Sequence, residues 1–120
     1  GDERVFLVGD LLGNVSPLFG HYPKSAHLAC HLGRIAAAEI AARSRGKLPQ
    51  PELPASVCHV YTDAEPMEMM RIDATYRLRG DGLIAQTVRQ HEDPQPRGED
   101  AQWAQGLYGE MLAPQPFSAM

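Results

Sequence analysis

No run in this 120-residue chain is apolar for long enough to cross a bilayer, and no cationic stretch followed by an apolar core marks a secretory signal. Gly-x-Gly-x-x-Gly appears nowhere, so the chain lacks its own cradle for a dinucleotide pyrophosphate. There are two cysteines, Cys30 and Cys58, too few for a disulfide-built scaffold. Neither Cys-x-x-Cys nor Cys-x-x-Cys-His occurs, which leaves covalent haem attachment without support. Lys and Arg total 11 against 15 Asp and Glu, for a net charge of −4, and the cations are scattered. A phosphate-tracking stripe is therefore absent, and nucleic acid is not an expected partner.

The size allows one domain with a modest core. Val5-Phe6-Leu7-Val8 reads as a buried strand, and Gly9-Asp10 closes it, placing a carboxylate at its C-terminal edge. In open α/β sheets ligands gather at that edge. A loop punctuated by Gly and Pro follows, from Leu11 to Tyr22, long enough to serve as a cover over whatever binds near Asp10; alternatively Leu18 and Phe19 pack on a neighbouring surface. The first helix is expected from Ser25 or Ala26 to Arg43, with Ser25 as N-cap and Gly46 as stop signal. Its 3.6-residue periodicity puts Leu28, Ala29, Leu32, Gly33, Ala36 and Ile40 on one face, and His27, His31, Arg34 and Ala38 on the other.

Lys47 to Pro54 carries three prolines and reads as an extended connector. Ser56 to Thr62 is an expected strand that bears Cys58. The alternation of Met70, Ile72, Ala74, Tyr76 and Leu78 with Arg71, Asp73, Thr75 and Arg77 predicts a second strand with one buried face. Arg79-Gly80-Asp81-Gly82 is a turn, and Leu83 to Gln90 returns as the hairpin partner. The Arg-Gly-Asp triplet is explained by turn geometry rather than by adhesion. His91 to Gly98 reads as a loop. A last helix from Glu99 or Asp100 sets Trp103, Ala104, Leu107, Tyr108 and Met111 on one stripe before Pro114. The tail to Met120 is expected to fray unless Phe117 docks. The resulting fold class is α+β: a sandwich of a small antiparallel sheet of about three strands with two main helices, preceded by a short strand.

Several of these residues together carry a resemblance. Val5 to Asp10 is similar to the second flavin-contacting motif of the two-dinucleotide-domain disulfide reductases, an apolar strand ending in Gly-Asp. Pro23-Lys24-Ser25-Ala26, with Ala29, Gly33 and Ala36 to Ala38 behind it, resembles the helix start in the flavoprotein subunit of flavocytochrome c sulfide dehydrogenase. The spacing from Lys24 to Cys58 fits that family's redox cysteine, and the likeness continues through Tyr76-Arg77 to the helix around Trp103 and Tyr108.

The resemblance implies an excised part of a longer protein, with residues 1–22 ending an FAD-binding domain and 23–120 forming a C-terminal flavin-binding and interface domain. It implies that Asp10 accepts a hydrogen bond from a flavin ribityl hydroxyl, and that Lys24, Ser25 and Ala26 approach the pyrimidine end of the flavin. It further implies that Cys58 is one half of a redox-active disulfide whose partner lies in the N-terminal domains, that sulfide is the substrate, and that a c-type cytochrome subunit in the periplasm takes the electrons. FAD is expected in the full-length protein and not to be retained by this fragment. A non-catalytic dimerisation or cytochrome-docking module, as of a sulfide:quinone oxidoreductase relative, is the alternative.

Two other chemistries are open from the residues alone. His27, Cys30 and His31 are spaced for a metal on one helical face, with His21 and His59 as further candidates, but spacing fixes no third or fourth ligand and the expected metal set is none. Cys30 and Cys58 could bridge only if their separation and directions fell in the narrow range a disulfide allows. As a lone strand cysteine, Cys58 also reads as a small buried hydrophobe.

Overall fold

The computed structural model describes residues 2–112, so the expected tail and Phe117 lie outside the described residues. A 3₁₀ turn at Gly9–Leu11 precedes helix α1, Ala26–Ser44. Three strands follow, β1 Ala55–Ala64, β2 Met67–Leu78 and β3 Ile84–Asp93, and then helix α2, Glu99–Leu112. The sheet is antiparallel in the order β1-β2-β3, which confirms the α+β arrangement of one small sheet with two helices.

The helix α1 ends as its sequence predicts. Gly46 takes φ 67°, and the N–H groups of Gly46 and Lys47 reach back to Arg43 and Ala42 at 3.0 and 2.9 Å, satisfying carbonyls that the helix leaves open. Leu28 and Leu32 are its buried residues. Ile40, expected on the same face, is 52% exposed because nothing among the described residues covers that end of the helix.

The β2–β3 hairpin closes on Arg79-Gly80-Asp81-Gly82. Gly82 sits at φ 84° and donates to the Arg79 carbonyl at 3.1 Å, while Arg79 donates to Leu83 at 2.8 Å. A side chain at that positive φ would be strained, so glycine is required there. The β3 strand runs on through His91, Glu92 and Asp93, which the sequence places in a loop; their partners are Arg71, Met70 and Met69 of β2. The β1–β2 turn, Ala64 to Met67, contains a cis Glu65–Pro66 bond, and the register shifts between Tyr61 and Asp63.

Both sheet faces are partly covered. On one, Ala74 is buried, and Phe19, Tyr22 and Tyr76 form an aromatic cluster with centroids 4.7 to 5.8 Å apart. Ser16, nearly inaccessible, donates to the Ile84 carbonyl at 2.7 Å and pins the Leu11 to Tyr22 loop there. The other face carries Met69, which is more deeply buried than any member of the predicted apolar stripe of β2. That face lies under α2, whose Asp100 accepts from Tyr61 and whose Trp103 meets His59.

The opening run differs from expectation. Val5 to Val8 pairs with no strand, and Val5 and Leu7 are 64% and 57% exposed. A strand needs an adjacent ladder for its backbone groups, and none of the described strands lies beside this run. Phe6 instead lies under the Arg43 guanidinium, 5.3 Å from its ring centre.

Candidate functional site

Gly9 is the hinge of the site. Its φ of 73° folds the chain into the short turn, and a Cβ built there would stand 3.4 Å from the Ala29 Cβ. The Gly-Asp pair is thereby laid against the second turn of α1. Lys24 draws the two together: its Nζ donates to the Asp10 carbonyl at 2.5 Å and lies 3.5 Å from the Leu12 carbonyl. The ammonium thus holds backbone, and the exposed Asp10 carboxylate accepts no hydrogen bond among the described residues.

Ser25 occupies the N-cap position in extended conformation, as its residue type predicts, but makes no capping bond. Its hydroxyl is turned inward, buried and without a partner. The opening N–H groups of α1 therefore have no side-chain cap, and no acidic residue stands in the first turn to offset the helix dipole there. Uncapped donors with a partial positive charge suit an electron-rich oxygen or nitrogen.

Between this turn and α1 lies a hollow lined by Gly9, Asp10, Tyr22, Pro23, Lys24 and Ala29 among others, with a volume of about 10 Å³. It has room for about one water molecule and not for a ring system. Asp10 and Lys24 therefore line a common hollow, which is too small to enclose a flavin.

Cys58 does not line that hollow. It is an exposed free thiol on the outer strand β1, as Cys30 is on α1, and its Sγ contacts the His59 carbonyl at 4.0 Å. It shares a strand face with Ser56, two residues back and roughly 7 Å along the strand. Ser56 Oγ lies 3.5 Å from His27 Nε2, in the first turn of α1, so β1 approaches the helix start through Ser56 rather than through the cysteine.

The histidines of α1 are engaged separately. His31 accepts from the Ala55 N–H at 3.3 Å through Nδ1 and lies 3.5 Å from Glu52, whereas His27 packs on Trp103. Among the described residues no three His, Cys, Asp or Glu side chains are grouped to hold a metal ion. At the hairpin tip Arg79 and Asp81 pair with each other at 2.7 Å.

Sequence reading missed a polar row across the α2 side of the sheet. His59, Arg71 and His91 are in register on the three strands, and Asp73 holds both Arg71, at 2.8 Å, and His91, at 3.4 Å. The available signal was the alternation itself, which assigns Arg71 and Asp73 to one face; the hairpin register that adds the histidines was not fixed by it. Set against family models, curated proteins and solved structures, the chain finds no match.

Proposed function

We propose that this chain is the C-terminal flavin-binding and interface domain of a sulfide dehydrogenase flavoprotein, completing an FAD site whose pyrophosphate cradle lies in N-terminal domains of the same protein. The observation that carries the reading is the seating of Gly9-Asp10 against α1 with Lys24 as the tie. Gly9, Asp10, Pro23, Lys24 and Ala29, drawn from both resembling stretches, line one hollow, and this supports the reading.

The residues suit FAD as one wall of its site. Asp10 accepts from ribityl hydroxyls, and the α1 start with Lys24 and Ser25 offers donors and positive potential to the carbonyl edge of the flavin. Ala26 contributes its backbone. Cys58, disulfide-linked to a cysteine of the N-terminal domains, is attacked by HS⁻: the S–S bond breaks, a persulfide forms, and one thiolate leaves. FAD, when bound, would supply the oxidant for that thiolate, a c-type cytochrome in the periplasm being the proposed electron acceptor.

A second reading is a non-catalytic module that dimerises or docks a cytochrome. It is favoured by the exposed apolar side chains Val5, Leu7, Leu11 and Leu48, the last 95% accessible. The two readings separate in the protein that carries this chain together with its dinucleotide-binding domains. The enzymatic reading expects one FAD per chain and a marked loss of it in Asp10→Ala; unchanged flavin content in that variant removes Asp10 from the site.

A further inference from the structure

The helix α2 is unusually loosely attached. It buries no side chain completely, and it is held through Trp103, the Tyr61–Asp100 hydrogen bond and the exposed Arg34–Glu110 pair at 3.1 Å. Trp103, the chain's one tryptophan, stands between two imidazoles from different elements. The ring of His27 on α1 is 5.5 Å away at 83°, and that of His59 on β1 is 5.4 Å away at 57°. One indole therefore joins α1, β1 and α2.

We infer that this arrangement makes α2 a pH-operated flap: with the His27 imidazole neutral Trp103 stays seated, and acidification, by protonating His27, unseats it and lifts α2 from α1 and β1. The charged groups around the two histidines decide which one senses pH. His27 is half-buried against the indole and Ser56 and has His31 one turn along α1. A proton there loses hydration and meets a second imidazole, and these two effects, burial first, hold the His27 pKa below the ordinary histidine range.

His59 has a different setting. Arg71 faces it from β2 and His91 lies beyond on β3, but Glu99 of α2 and Asp93 and Glu92 of β3 line the same hollow of about 170 Å³, and Asp100 of α2 adds countercharge nearby. Asp100 is kept ionised first by the Tyr61 hydroxyl, then by the Ala101 N–H, with His59 adding to the same effect. His59 thus has carboxylates around it, whereas His27 is packed against the indole and Ser56, and His27 is the sensor.

The direction follows from linkage. With α2 lifted, His27 returns to an ordinary pKa of about 6.5, so the lifted state binds the proton more readily. The closed state holds its full advantage above that pH and loses it as pH falls below.

Hydrogen exchange along α2 and acrylamide quenching of Trp103, followed from pH 7.5 to 5 on the full chain, test the flap. Corrected for the intrinsic effect of pH on exchange, α2 opening is expected to rise severalfold, with a ceiling of about 30-fold at pH 5, while β2 and β3 stay protected. His27→Gln is expected to flatten the rise and His59→Gln to leave it. The His27 ring resonance in the unmodified protein is expected to titrate in step with Trp103 exposure, a readout independent of how the variants fold. A flat exchange profile, an undiminished rise in His27→Gln, or a His27 titration out of step with Trp103 each overturns the inference.

Discussion

Gly9 and Ser25 both depart from the ordinary at the start of α1, one through backbone freedom and the other through a hydroxyl that does not do its usual work. Gly9→Ala forces a side chain to φ 73° against Ala29 and is expected to cost about 1–2 kcal/mol in urea unfolding. Ser25→Ala removes a buried hydroxyl that has no partner, so the usual loss of about 1 kcal/mol at an N-cap should shrink to within about 0.5 kcal/mol in the same measurement. The sequence identified Ser25 as the cap position by residue type and helix periodicity. It could not show the hydroxyl buried and unpartnered, because side-chain burial at the cap depends on tertiary packing rather than on helix periodicity. Tyr22 and Tyr76 give a further test, since burial holds both phenols above their usual range. In the unfolded chain they ionise near pH 10, so the folded state loses stability as pH rises past that value, and Tyr76→Phe should flatten the alkaline limb of a stability–pH curve.

At the level of elements, local chemistry accounts for what was legible. Gly46 stops α1, the alternation from Met70 to Leu78 builds β2, and Gly82 turns the hairpin. Gly82→Ala is expected to destabilise the chain by about 1–2 kcal/mol and to loosen the hairpin end of the sheet first, read as earlier amide exchange near Leu78 and Ile84. Val5 to Val8 illustrates the limit of the same logic. An apolar run signals burial, but pairing requires a neighbour, and no described strand lies beside this run. The α2 helix was legible as a helix from its apolar stripe; its anchorage was not, because Trp103 is seated by His27 and His59, which lie far away in sequence and carry no helical or strand signal of their own.

The whole molecule is open. Its radius of gyration is 17.2 Å, where about 13 Å suits a compact domain of this length. Its accessible surface is 9088 Å², against roughly 6,400 Å² for a compact monomer of similar mass. Large apolar side chains at Val5, Leu7, Leu11, Ile40 and Leu48 face outward. Surface of that kind suits either proposed role, a wall that closes onto a partner domain or a docking module, and does not separate the two. The chain by itself, without a pyrophosphate cradle, is expected to purify colourless after incubation with FAD. A stoichiometrically yellow preparation would contradict that expectation.

The most direct measurement is the absorbance of bound flavin on addition of sulfide to the flavoprotein that carries this chain, with and without Cys58→Ser. Bleaching is expected in the unmodified protein, and in the variant a flavin that stays bound and oxidised. Bleaching at the same rate and extent in the variant would contradict this.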